Sequence, residues 1–142
     1  MNARTHAGTI VGGLDNTVQY STAAVIVGGL ENTVYYGAMS GVGGGVSNLI
    51  SYGYASTILG GESHTVSSSS YSIIAGGVAN SVSGNYHTII GGTLNTISDD
   101  VRQSSTAVSS STTIGGGKSN EASGHFNTVA CALRGRGNAR MV

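Results

Sequence analysis

The run Gly115-Gly116-Gly117-Lys118-Ser119 ends as a phosphate-binding loop does, with a lysine for the phosphates and a hydroxyl for magnesium. That motif also needs a glycine five residues before Gly117, where this chain has Thr112. It further requires a strand-loop-helix setting, and this glycine pair belongs to a repeated glycine column instead. Metal chemistry finds little support. His64 stands in a column of asparagines, while His87 and His125 adjoin Tyr86 and Phe126 with no second ligand at metal-binding spacing. Only a three-fold axis, with one histidine from each chain, would gather enough of them for an ion. Calcium-binding glycine repeats are nonapeptides that place an aspartate at a fixed step after the glycines. Here Asp15, Glu31, Glu62, Glu121 and the pair Asp99-Asp100 are scattered, and the period is sixteen, which is not a multiple of nine. No carboxylate cluster suits hydrolysis of nucleic acid or of glycosidic bonds. The residues therefore predict no catalysis, no cofactor and no metal ion.

Two other residue types carry more. Asparagine recurs at Asn16, Asn32, Asn48, Asn80, Asn95 and Asn120. Stacked asparagines can pair as amide ladders. Exposed Asn-Thr pairs, as at Asn16-Thr17, Asn32-Thr33 and Asn95-Thr96, could instead bind ice or a glycan, but Asn48-Leu49 and Asn80-Ser81 break such an array. Tyr20, Tyr36 and Tyr52 share one column, and Tyr35, Tyr54, Tyr71, Tyr86 and Phe126 fall near the same bend. Tyrosines at a wet surface serve protein or sugar contacts, or they pack between chains of an oligomer.

These residues are spaced by a repeat that organises nearly the whole chain. Gly-Gly pairs stand at Gly12-Gly13, Gly28-Gly29, Gly44-Gly45, Gly60-Gly61 and Gly76-Gly77, at a constant step of sixteen. The pair returns one position early at Gly91-Gly92 and, after a much longer interval, at Gly116-Gly117, with Cys131-Ala132 as a worn eighth copy. Two residues before each pair comes Ile10, Ile26, Val42, Ile58, Ile74, Ile89, Ile114 or Val129. Beyond each asparagine comes a second apolar column: Val18, Val34, Ile50, Val66, Val82, Ile97 and Ala122. Each column keeps one chemical type, which is the signature of stacked rungs.

Composition narrows the class. Of 142 residues, 24 are glycine, none is proline or tryptophan, and one is cysteine. Only 8% are charged and the net charge is zero, which disfavours binding of nucleic acid through phosphates. No run approaches the roughly 18 apolar residues of a membrane span, so no membrane insertion is expected. The lone Cys131 excludes an intrachain disulfide framework. Regular Ile/Val columns argue against disorder, since flexible linkers do not hold β-branched residues in register.

Regularly repeated glycine pairs, with Val, Ile, Thr and Ser between them, disfavour helix and favour strand. Each rung is predicted to hold two short strands and two bends, the Gly-Gly pair making one bend and a Ser- or Gly-containing stretch the other. The expected fold is all-β, a parallel β-roll or β-solenoid of about eight short rungs. Residues 1–8 form a lead-in, 9–130 the repeat domain and 131–142 a C-terminal cap or docking tail. Two regular apolar columns make a thin core. With Leu14, Leu30, Val46 and Val78 as a partial third column, a homotrimer closing that face on an axis is the expected remedy.

The units Gly28-Gly29-Leu30-Glu31-Asn32-Thr33-Val34 and Gly76-Gly77-Val78-Ala79-Asn80-Ser81-Val82-Ser83-Gly84-Asn85-Tyr86 resemble the Gly-Gly-x-x-Asn-Thr repeats of phage and bacterial fibre proteins. Those are similar in turn to the head repeats of trimeric autotransporter adhesins. The resemblance spans residues 9 to about 130 and implies a left-handed parallel β-roll, three chains per molecule and a role in surface attachment. No secretory leader, coiled-coil stalk or membrane anchor is read in the sequence, which shifts the expectation to a virion part assembled in a host cytoplasm.

Two irregular segments are candidate partner contacts. The rung begun at Gly91 is ten residues longer than its neighbours, with the added chain within 98–111 and including Asp99, Asp100, Arg102 and Gln103. Insertions in solenoids emerge as loops on one face, often the binding face. Arg134, Arg136 and Arg140 cluster near the C-terminus, as suits a cap or docking tail. The reading is a non-enzymatic structural or attachment protein: a phage tail fibre, tail needle or capsid decoration. Its partners would be other virion proteins or a host receptor or glycan. A bacterial adhesin head at the cell surface and a self-assembling filament are the alternatives.

Overall fold

A computed structural model of the chain describes residues 7–99, 111–124, 126–133 and 136–139. Those residues form strands and bends and no helix, wound as a β-solenoid of about seven turns. One eight-stranded parallel sheet stacks Thr9–Ile10, Val25–Ile26, Gly41–Val42, Thr57–Ile58, Ile73–Ile74, His87–Ile89, Thr112–Ile114 and Thr128–Val129. The other stacks Thr17–Gln19, Thr33–Tyr35, Leu49–Tyr54, Thr65–Ser70, Ser81–Ser83, Thr96–Ser98, Glu121–Gly124 and Arg136–Ala139. Every rung gives one strand to each sheet, as the spacing predicts. The register is strict: Ile10 pairs with Ile26, Ile26 with Val42, Val42 with Ile58 and Ile58 with Ile74. Pairing extends past residue 130, the boundary set from the sequence. Gly117–Lys118 pairs with Ala132–Leu133, and Glu121–Gly124 pairs with Arg136–Ala139. Backbone ladders need no particular side chain, so the rung survives the loss of its glycine pair at Cys131-Ala132.

The core lies inside one chain. Ile26, Val42, Ile58, Ile74, Ile89 and Ile114 from the first sheet are buried together with Val34, Ile50, Val66, Val82, Ile97 and Ala122 from the second. Each is at most 1% exposed without any partner chain. The two apolar columns cluster within the chain, flanked by buried polar columns that supply the remaining walls. At one bend, Asn48 Nδ2 donates to the Gly44 and Gly61 carbonyls, and the Asn48 backbone amide donates to Asn32 Oδ1. Asn48 Oδ1 accepts from the backbone of His64. Every polar atom of the amide is thus used, which is what burial of an amide requires. At the other bend, Ser40 Oγ accepts from the Ser56 amide, Ser56 Oγ from Ser72, and Ser72 Oγ from His87.

The bends recur because the same residues in each rung turn left-handed. Glu31, Ser47, Ser63 and Ala79 have φ of 53–57° at the first bend, and Tyr20, Tyr36, Tyr52 and Ser68 have φ of 48–52° at the second. Left-handed backbone costs an ordinary residue roughly 1–2 kcal/mol, so stacking on both sides has to hold each corner. The second glycine of each pair avoids a larger penalty. Gly29 has φ of 94°, and a Cβ there would run into the Gly45 carbonyl and the Asn32 amide.

Candidate functional site: a tyrosine edge and a glycine row

All seven tyrosines lie on or beside the second bend, in the first five rungs. Tyr20, Tyr36 and Tyr52 occupy the same corner of successive rungs, so their rings stack in parallel. Centroids are 4.9 Å apart for Tyr20 and Tyr36 and 5.2 Å for Tyr36 and Tyr52, with interplanar angles of 11° and 4°. Tyr35 meets all three edge-on. A second group follows across the bend, where Tyr71 stacks on Tyr86 at 5.2 Å and Tyr54 meets Tyr71 edge-on. Tyr20, Tyr36, Tyr52, Tyr54, Tyr71 and Tyr86 are each more than 40% exposed. Desolvation in the stack, then repulsion between neighbouring phenols, raises the pKa of Tyr35 and Tyr71 above the ordinary tyrosine value. The inner ring faces are covered by other rings. What the ladder offers outward is a row of ring edges and hydroxyls, which suits a protein surface better than a sugar seeking a free ring face.

The first bend carries a different surface. Leu14, Leu30, Val46, Glu62, Val78, Thr93 and Lys118 bridge from rung to rung there. Leu14, Val46 and Val78 are exposed. They form the partial third column of the sequence, facing outward. Val11, Val27, Leu59 and Ile90 are exposed on the adjoining outer face of the first sheet. Between the first-bend row, apolar except at Glu62, Thr93 and Lys118, and the apolar residues of that outer face run Gly12, Gly28, Gly44, Gly60, Gly76 and Gly91. A Cβ at any of them would meet nothing within 4 Å, and none has a left-handed φ. The chain's own packing explains the second glycine of each pair and leaves the first unexplained.

The remaining candidates fall as follows. Asn32, Asn48, Asn80, Asn95 and Asn120 point inward and are buried, so this column presents no array to solvent. His64 continues their ladder: its amide donates to Asn48 Oδ1 and its Nδ1 accepts from Asn80, while Nε2 has no hydrogen-bond partner. Burial lowers the His64 pKa below the ordinary value. His87 is buried, and its Nε2 lies 3.0 Å from Asp99 Oδ1. Sequence reasoning found no carboxylate near His87. The signal was present, because Asp99 follows Gly84 by one repeat and so takes the same corner one rung on, as the pairing of Ser83 with Ser98 shows. Asp100, Arg102, Gln103, His125, Arg134 and Arg140 lie outside the described residues, as does most of the insertion. Arg136 begins the last strand of the second sheet. Lys118 starts the outward edge of a rung, in a strand and not at a helix N-terminus. Among the described residues no three of His, Cys, Asp and Glu come together, and no helix is long and apolar enough to cross a membrane.

The fold and these surfaces define a β-solenoid repeat protein. No model of a known protein family matches the chain, and no curated protein matches it.

Proposed function

We propose that the protein is a non-enzymatic structural or attachment module, a stiff homotrimeric solenoid serving as a virion part such as a tail fibre, tail needle or capsid decoration. The observation that carries the self-association is the row from Gly12 to Gly91, bare of side chains for no reason within the chain and flanked by largely apolar rows. Close approach of another backbone is a standing use of such glycines. A second copy shares the same axial repeat, so rows on parallel copies match along their whole length. Closed three-fold symmetry would bury this face and leave the tyrosine edge outward. Partners on that edge would be other virion proteins or a host receptor. The likeness of the repeats to those of fibre proteins and adhesin heads supports the attachment role, and a head on a bacterial surface is the second reading.

Gly60→Leu tests the interface. A Cβ there meets nothing within 4 Å in its own chain and the backbone is not left-handed, so the circular dichroism spectrum should match the parent. Association should be lost, with mass falling to that of a single 14.1 kDa chain. A folded variant that keeps the parent's assembly would show that the glycine row is not the contact.

A further inference from the structure

We propose that the stacked tyrosines are an oxidative cross-linking site, where a one-electron oxidant joins the phenols of neighbouring rungs as dityrosine. Three features carry this. Tyr20 and Tyr36, Tyr36 and Tyr52, and Tyr71 and Tyr86 are stacked with centroids 4.9, 5.2 and 5.2 Å apart. Each of these residues is 44–60% exposed, so an oxidant reaches its phenol from solvent. The backbones beneath are held one rung apart, about 4.8 Å, by continuous parallel pairing. Two phenoxyl radicals on adjacent rungs are therefore always within one side-chain rotation of bonding distance. Such preorganisation is worth effective concentrations of about 10⁵ M or more in favourable intramolecular reactions.

The step balances with hydrogen peroxide and a haem peroxidase as the oxidising class. Each of two phenols gives up one electron and its hydroxyl proton. The resulting radicals couple through ring carbons ortho to oxygen, forming one carbon–carbon bond. The ortho hydrogens then move to the oxygens as the rings become aromatic again. Peroxide takes the two electrons and two protons and leaves as two waters. The product is lighter by two hydrogens and joins tyrosines one repeat apart in sequence. It would staple the roll as a disulfide does, in a chain whose single cysteine cannot form an internal one.

The test treats the full chain carrying Cys131→Ser, which removes disulfide products, with peroxidase and peroxide. Peptide mass spectrometry should find Tyr20–Tyr36, Tyr36–Tyr52 and Tyr71–Tyr86 links in chains that still migrate as monomers on a denaturing gel. Tyr36→Phe should abolish the first two and keep the third. Ser68 occupies the next corner below Tyr52, and Ser68→Tyr should add a link from Tyr52 to position 68. Links found only between chains, or a pattern unchanged by Tyr36→Phe and Ser68→Tyr, would overturn the proposal.

Discussion

His64 is the residue at which the repeat departs from its own rule. It fills an asparagine position with a ring whose Nδ1 accepts from the Asn80 amide and whose Nε2 is buried without a hydrogen-bond partner, while the His64 backbone amide donates to Asn48 Oδ1. Its neighbours in the stack, Asn48 and Asn80, are neutral, and burial outweighs the backbone groups of Asn80 and Gly77 that favour the charged ring. Protonation of Nδ1 would also break the bond from the Asn80 amide. The folded pKa is therefore below the unfolded one, and the sign follows. Above about pH 6.5 both states are neutral and nothing is lost. As pH falls through that value the unfolded chain takes a proton that the folded rung refuses, so stability declines until the folded pKa is reached. His64→Asn should remove this acid loss and restore the missing amide bonds, a gain of about 1–3 kcal/mol near neutrality. Urea midpoints for the two proteins at about pH 7.5 and about pH 5 provide the check. Equal acid sensitivity in both would assign the loss to another group. The sequence already placed His64 in the asparagine column. It left open which way that column faced, because asparagine serves equally as a buried amide and as a surface donor.

At the scale of the element, the two-strand, two-bend rung was legible from the Gly-Gly spacing and the two apolar columns. The finer shape of each bend was not. A left-handed corner filled by Glu31, Tyr36 or Ala79 has no local sequence signal, since those residues do not favour that backbone and are held there by the rungs on either side. The enlarged rung after Gly91 shows how firmly stacking governs. The first sheet pairs Ile89 directly with Ile114, and the second pairs Ser98 with Ser123, so both ladders pass the insertion in register. Removing residues 101–109 should thus leave the far-ultraviolet spectrum unchanged and stability within about 1 kcal/mol, because shortening a loop whose ends are already close alters closure entropy little. Collapse of the fold on this deletion would make the segment part of the core. Loss of partner binding with the fold intact would mark it as a grafted contact.

For the whole molecule, the sequence asks for a trimer because two apolar columns make a thin core. A single chain buries the interior of both apolar columns, with Ile58 and Val66 at 0% exposure, while Ile10 at the first rung is 43% exposed and Val18 and Val129 are partly buried. The proposed trimer rests on the outside as well: a bare glycine row, flanking rows that are largely apolar and a chain with only 8% charged residues. The tyrosine edge was visible as a column in the sequence. Its stacking, and hence the hiding of its ring faces, required the register to be known. The most direct measurement is the native mass of the purified chain at micromolar concentration by light scattering. A single species of about 42 kDa, three times the 14.1 kDa chain, is the expected result. A well-folded 14.1 kDa monomer would contradict the account, and large heterogeneous particles would favour an end-to-end filament over a closed trimer.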